Sequence, residues 1–310
     1  YFTSVGTGIP ETRMGLFRAQ VVFVHPSHFG LFCSAIFSLT FVALRDVMPT
    51  GRRWICSGLI ALTCFLSLSS GAILALALQL GLIIWAAAFD RIRFRWWLLV
   101  GLFMLAYVVV DIVSNRTPIQ VFMSRATFSA HNAYIRAAIY DSGIQNVWAN
   151  PIFGIGLNDW VRPSWLPTSV DNFWLVIAMR HGLPGFLFLA LGYGAVIFGV
   201  MRRDFATDPV LAHIRRAWVF TFLGLSFTLS TVHVWTSVYS FTFFMFGAGV
   251  WLMATKSDAP TMSDSQAKGA MRPRPTSPAF DRHKLAGLAG SDVVSPNAEN
   301  ETAKRLVYSR

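Results

Sequence analysis

Long apolar runs, separated by short polar segments, dominate the hydrophobic pattern of this chain. We predict seven membrane-spanning helices, over residues 28–45, 54–68, 71–89, 96–113, 173–201, 217–233 and 237–254. An apolar helix of about twenty residues satisfies its own backbone hydrogen bonds and crosses the hydrocarbon core of a bilayer. The pattern therefore predicts an all-α fold, a polytopic transmembrane helical bundle with about seven spans visible.

The second and third spans run together as one apolar stretch. At about 1.5 Å per residue, this stretch is too long for a single crossing. Its middle carries the polar sequence Ser67–Leu68–Ser69–Ser70–Gly71, a composition typical of turns. We therefore expect two helices that are joined by a tight turn.

Arginine in the short loops predicts how the helices are oriented in the membrane. The loops after the first, third and fifth spans contain Arg45, Arg52, Arg53, Arg91, Arg93, Arg95, Arg202, Arg203, Arg215 and Arg216. Short loops rich in Lys and Arg stay in the cytoplasm. With all three loops on that side, the seven crossings alternate correctly and the C-terminus is cytoplasmic.

This topology divides the chain into five parts. They are an outward segment 1–27, four transmembrane helices in 28–113, a long structured outward loop 114–172, three transmembrane helices in 173–254, and a disordered cytoplasmic tail 255–310. The tail is rich in Ser, Pro, Ala and charge, and has no sustained apolar period. Because the chain begins with Tyr1, we expect it to be part of a longer protein.

The composition agrees with a membrane protein and argues against other classes. Hydrophobic residues make up 54% of the chain and charged residues only 13%, about half the charged fraction of soluble domains. A net charge of +11 could indicate a nucleic-acid partner. Because the arginines flank membrane spans, however, we predict none. The cysteines Cys33, Cys56 and Cys64 lie in apolar spans, so we interpret them as packing residues and predict no metal or cofactor site.

The outward side carries an excess of arginine. The residues concerned are Arg13, Arg18, Arg116, Arg125, Arg136 and Arg162, with Arg180 inside the fifth span. The planar guanidinium group matches phosphate oxygens in bidentate fashion. As a set, these arginines favour an anionic ligand at the outer face. For any single arginine, an ion pair with a nearby Asp or a contact with lipid headgroups is the alternative.

Three features of the loop and of the span after it indicate a site. A helix is predicted from Arg136 towards Trp148, and Pro151 ends it before a close turn through two glycines. Asp171 and Asn172 stand where the chain re-enters the membrane, either as helix caps or with Asp171 accepting a proton from a substrate hydroxyl. Gly and Pro within Arg180–Gly185 predict a break in the fifth span.

These segments resemble the O-antigen ligase and polymerase family, bacterial membrane enzymes that transfer or polymerise lipid-linked polysaccharide. The resemblance covers about residues 18–200 and rests on Val24–His25–Pro26–Ser27, on Leu68–Ser69–Ser70–Gly71, on NPIFGIGLNDW (150–160) and on DNFWLVIAMRHGLPGFLFLALGY (171–193). Two departures are visible. The His-Asn of the family is Asp171–Asn172 here, and its Ser-Arg-Gly is Ser69–Ser70–Gly71.

The resemblance implies a metal-independent glycosyl transfer at the periplasmic face of the bacterial inner membrane. A polyprenyl-pyrophosphate-linked glycan would be the donor and an acceptor glycan or lipid the acceptor, in O-antigen or exopolysaccharide polymerisation or ligation. We expect Arg136 to hold the pyrophosphate, and Asp171, or His131 as second choice, to act as the general base. The expected substrate-binding residues are Arg125, Arg180, Arg18, Asn172 and Trp160.

Two alternatives come from other functional classes. A transporter or flippase of a lipid-linked sugar would also need outward arginines, but it predicts charged residues deep in several spans. A non-catalytic membrane scaffold would act through the basic tail.

Overall fold

A computed structural model describes residues 12–13, 15–113, 130–234 and 236–255, without the side chains of residues 130–133 and 236. Within these ranges the helices are α1 Pro26–Phe41, α2 Thr50–Leu66, α3 Ser70–Ala88, α4 Arg95–Val113, α5 Ala130–Ala149, α6 Phe173–Arg202, α7 Pro209–Leu229 and α8 Thr236–Ala254. A short 3-10 helix covers Ala43–Arg45. The strands β1 Thr12–Arg13 and β2 Leu16–Phe17 pair antiparallel near the N-terminus.

The prediction of an all-α transmembrane fold is confirmed, because each predicted span coincides with a helix. Four helices, α3, α4, α6 and α8, are long and apolar enough to cross a membrane, whereas α1 is apolar but shorter. The largest boundary difference is at α7, which begins at Pro209 rather than at 217. Asp208 explains the earlier start, since its carboxylate accepts a hydrogen bond from Leu211 N at 3.0 Å and caps the helix.

The core lies where α7 packs against α1 and α3. Its largest fully buried side chains include Trp218 and Phe222 on α7. A buried amide adds a polar clamp: Gln79 on α3 accepts a hydrogen bond from Ser38 N at 3.3 Å and donates one to Ser34 O at 2.8 Å. Gly224 on α7 leaves room for this amide, because a Cβ there would lie 2.6 Å from its nitrogen. The clamp fixes α1, α3 and α7 in one register.

Three arginine-bearing loops meet at one end of this bundle. Arg45 from the α1–α2 loop, Asp90 from the α3–α4 loop and Arg216 near the start of α7 line the same cavity. We call this the arginine end, formed by residues 42–53, 89–95 and 203–216. The loops assigned to one side of the membrane thus lie together, as the alternating topology requires. Their cytoplasmic location remains a prediction.

Candidate functional site

The opposite end of the bundle gathers segments that are far apart in sequence. The predicted turn between α2 and α3 is confirmed, and the N-terminal segment holds it: Arg13 Nη1 donates to Leu68 O at 2.8 Å, and Arg18 Nε donates to Ser67 O at 3.1 Å. On α1, the ring of His28 forms a 3.2 Å hydrogen bond with the carbonyl oxygen of His233 in the α7–α8 loop. These contacts tie the N-terminal segment, the α2–α3 turn, α1 and the α7–α8 loop together, and His233 also lines a hollow with residues of the long outward loop.

The helix predicted from Arg136 is observed as α5, although it begins earlier, at Ala130. It ends at Ala149, close before Pro151, as expected. Gly143 on α5 faces Leu175 on α6 so closely that a Cβ on Gly143 would lie 2.7 Å from the leucine Cδ2. This close packing of α5 against α6 brings the middle of the loop to the point where the chain enters the membrane.

Arg136 and Asp171 line one small hollow of about 10 Å³, together with Tyr140 and Asn172. Arg136 is partly buried and Asp171 is exposed at the rim. Burial lowers the pKa of Arg136, the charge of Asp171 raises it, and the charge of Arg13 lowers it again. Among the described residues no direct ion pair joins Arg136 to Asp171. The guanidinium group is thus only partly compensated, and an anion at the opening of the hollow would stabilise it.

Helix capping distinguishes Asp171 from its neighbour Asn172. The side chain of Asn172 accepts a hydrogen bond from Leu175 N at 3.1 Å and caps α6. The capping expectation is therefore confirmed for Asn172. The carboxylate of Asp171 is left at the rim of the hollow, where it can receive a proton; that role remains a prediction.

The predicted break in the fifth span is confirmed inside α6. Gly182 has φ +69° and ψ −178°, and helical structure resumes beyond it. The glycine turn that follows α5 docks onto this break through three backbone bonds: Ile155 N to Met179 O at 2.8 Å, Gly156 N to Arg180 O at 3.1 Å, and Leu183 N to Pro151 O at 2.7 Å. The turn thus satisfies backbone groups that the break releases, and it fixes the position of Arg180.

We expect Gly182→Ala to destabilise the protein. Its backbone region is one that only glycine adopts readily, at a cost of about 1–3 kcal/mol for other residues. A Cβ would also lie 2.3 Å from Ile152 O. Gly192 on the same helix is a matched control, because a Cβ there meets nothing within 4 Å. Thermal unfolding in detergent should show a lower Tm for Gly182→Ala only; equal Tm values would contradict this view of the break.

A second hollow, of about 150 Å³, lies between the loop that follows α5 and the part of α6 before the break. Arg180 is exposed and lines it together with Ser169, Asp159 and His233. Burial, together with the charges of Arg180 and His28, lowers the pKa of His233 to about 4. The ring of His233 is therefore neutral at neutral pH. This histidine is not among the site residues predicted from the sequence. In sequence it lies at the edge of an apolar run, so only the fold reveals its proximity to Arg180.

Trp160 is a packing residue of the loop as well as part of the lining of this second hollow. It is 6% exposed, and its indole nitrogen donates to Thr168 O at 3.0 Å. Arg162 lies over its ring at 5.4 Å and pairs with Asp159 at 2.8 Å. For Arg162, the alternative of an ion pair within the protein is thus confirmed.

Of the remaining predicted site residues, one supports the fold and two lie wholly or partly outside the described residues. Arg18 donates to Ser67 O and to Ser27 Oγ, and so it supports the α2–α3 turn. Arg125 lies outside the described residues. His131 lies in the first turn of α5, but its side chain is also outside them. The structure therefore brings Arg136 and Asp171 together at one hollow and places Arg180 at the other.

Comparison with known proteins agrees with the resemblance seen in the sequence. Residues 55–190 match the model of a family described as O-antigen ligase. The matched region extends from α2 into α6 and contains Arg136, Asp171 and Arg180, but not Arg18 or His233. No curated protein matches the chain. The family and the apolar helices together indicate a multi-pass bacterial membrane protein with a function in polysaccharide assembly.

Proposed function

Because residues 55–190 match the O-antigen ligase family, we propose that this chain transfers a glycan from a polyprenyl pyrophosphate carrier to the hydroxyl group of an acceptor sugar. The reaction takes place at the periplasmic face of the inner membrane, in polymerisation or ligation of O-antigen or exopolysaccharide. The observation that carries the proposal is the juxtaposition of Arg136 and Asp171 at one small hollow, where the long loop meets α6. Because the hollow is only about 10 Å³, the pyrophosphate would bind over its opening rather than inside it.

The chemistry requires stabilisation of negative charge more than protonation of the leaving group. The acceptor oxygen attacks the anomeric carbon, and the bond from that carbon to the pyrophosphate oxygen breaks, with both electrons leaving on the pyrophosphate. Arg136 offers several N–H donors in a planar fork to the departing phosphate oxygens. Arg180 in the second hollow, and Arg125 in the loop, are the proposed helpers.

The hydroxyl proton of the acceptor goes to a base. We assign this role to Asp171, because it lies at the exposed rim while Arg136 lies deeper in the same hollow. His131 remains the second choice for the base.

The distribution of charge supports a site at one face over a transport path. No Asp, Glu, Lys or Arg occurs in α3 or α8, and α4 carries only Arg95 and Asp111, near its two ends. In α6, Arg180 lies at the break. A transporter would place such groups along the interior of several spans.

Loss of the gene is expected to abolish polymer and to accumulate the carrier-linked glycan on the periplasmic face. The accumulated glycan can be tested in spheroplasts for cleavage by an added glycosidase that does not cross the membrane. Cleavage supports transfer at the outer face, and plasmid-borne wild type should reverse the phenotype. Glycan protected until the membrane is opened would point to a flippase instead. Absence of any accumulation would contradict the transferase assignment.

A further inference from the structure

The arginine end holds a larger cavity, of about 510 Å³, that the proposed reaction does not use. Its basic lining consists of Arg45, Arg53, His213 and Arg216. We call it the basic cavity. It lies at the opposite end of the bundle from the hollow of Arg136 and Asp171, and nothing in the proposed transfer reaction assigns it a role.

Arg53 is the buried element of this cavity. It is only 9% exposed, and its Nη1 donates to Phe41 O at 2.8 Å. The Nε group of Arg53 is also buried, and it has no hydrogen-bond partner among the described residues. A guanidinium group held out of water with an unused donor is costly unless an anion or another acceptor completes its surroundings.

The acidic residues near the basic cavity do not balance its charge. Asp90 lines the cavity, but its carboxylate is exposed and pairs with Arg95 at 2.6 Å. Asp46 lies 3.5 Å from His213. Arg216 interacts with the positive charges of Arg95, Arg215 and Arg45, and with only one negative charge, that of Asp90. The cavity therefore has an excess of positive charge.

The other walls of the basic cavity are apolar. Phe41, Ile83 and Phe220 lie beside the cationic groups. Cationic pockets between transmembrane helices, with apolar surface next to them, suit an anionic headgroup whose acyl chains lie along the helices. A small inorganic ion would use the arginines but would leave the apolar wall without a partner.

We propose that the basic cavity binds a phosphate group, namely the phosphodiester headgroup of an anionic membrane lipid. Arg53 donates from the base of the cavity, and Arg45 and Arg216 donate from its sides. The site is independent of the transfer reaction, so its test does not read out polysaccharide synthesis.

The test compares two double variants of the purified protein in detergent. Arg45→Gln with Arg216→Gln removes two cationic side chains of the cavity and leaves the buried Arg53 in place. Arg52→Gln with Arg91→Gln removes two exposed arginines of the same end that do not line the cavity. Native mass spectrometry with added phosphatidylglycerol should show binding weakened by about tenfold or more in the first variant only. The single variant Arg45→Gln, changed at an exposed position, serves if the double variant does not fold.

Thermal unfolding measurements distinguish a lipid headgroup from a soluble phosphate as the ligand. Phosphatidylglycerol that raises the Tm of the wild type, while inorganic phosphate has no effect, supports the lipid headgroup. Inorganic phosphate that raises the Tm of the wild type but not of the cavity variant would identify a soluble phosphate as the ligand and overturn the lipid assignment. Equal loss of binding in both double variants, or equal binding of net-neutral phosphatidylcholine, would overturn the site itself.

Discussion

Arg136→Ala is expected to abolish polysaccharide transfer while the protein remains in the membrane. The side chain lies partly buried beside Asp171, and burial lowers its pKa, so its charge is only partly compensated. An entering pyrophosphate would supply the missing negative charge. Loss of one such stabilising group from a transition state typically lowers the rate by about 100-fold to 1,000-fold. Polymer length in cells, and release of the polyprenyl pyrophosphate from a purified donor, measure the effect.

Two companion variants separate catalysis from stability. Arg136→Lys retains the charge but loses the planar fork, so an intermediate rate is expected. Arg52→Ala changes an exposed arginine at the arginine end and should leave the rate unchanged. Thermal unfolding of Arg136→Ala shows whether the fold survives, because the residue also interacts with Asp171. Full-length polymer from cells that carry only Arg136→Ala would remove this residue from the proposed role.

Much of the helical fold follows from the sequence because long apolar runs have few other stable structures in a membrane. The start of α7 is the instructive exception. Residues 209–216 contain Arg215 and Arg216 and are more polar than the apolar run that follows, yet Asp208 and Pro209 form a good helix start. The apolar composition thus indicates where the membrane span lies, whereas the capping residue Asp208 determines where the helix begins.

The candidate site was predictable only where the signal is local. Gly and Pro revealed the break at Gly182, and the change of pattern after Trp148 revealed the end of α5. The docking of the glycine turn onto Met179 and Arg180 is a long-range contact without a sequence period. The same holds for the contact between Asn146 and Val161. The side-chain amide of Asn146 accepts a hydrogen bond from Val161 N at 2.9 Å and donates one to Val161 O at 2.8 Å, and so it holds the loop against α5.

The sequence also left the choice between Asp171 and Asn172 open, since both residue types cap helices well. The 3.1 Å bond from Leu175 N resolves it in favour of Asn172. A cap needs one side-chain acceptor near the first free amides, and Asn172 provides it. Asp171 thus becomes the residue of the pair whose chemistry can be tested without removing the cap of α6.

Asp171→Asn is expected to lower turnover by about 100-fold to 10,000-fold, the range for loss of a general base. The substitution keeps the size of the side chain and replaces the basic carboxylate with a neutral amide, which does not accept a proton at neutral pH. The purified protein, assayed with a polyprenyl-pyrophosphate-linked donor, gives kcat and KM separately. A fall in kcat supports the base. If Asp171 only orients Arg136 through its charge, KM for the donor should rise while kcat is retained.

Two further variants complete this test. Asp141→Asn removes an exposed carboxylate on α5, outside the linings of both hollows, and should behave as wild type. His131→Gln tests the second candidate for the base in the same assay. Undiminished turnover in Asp171→Asn, together with a large loss in His131→Gln, would transfer the role to the histidine. The acceptor hydroxyl would then have to reach the first turn of α5, more than one helical turn before Arg136.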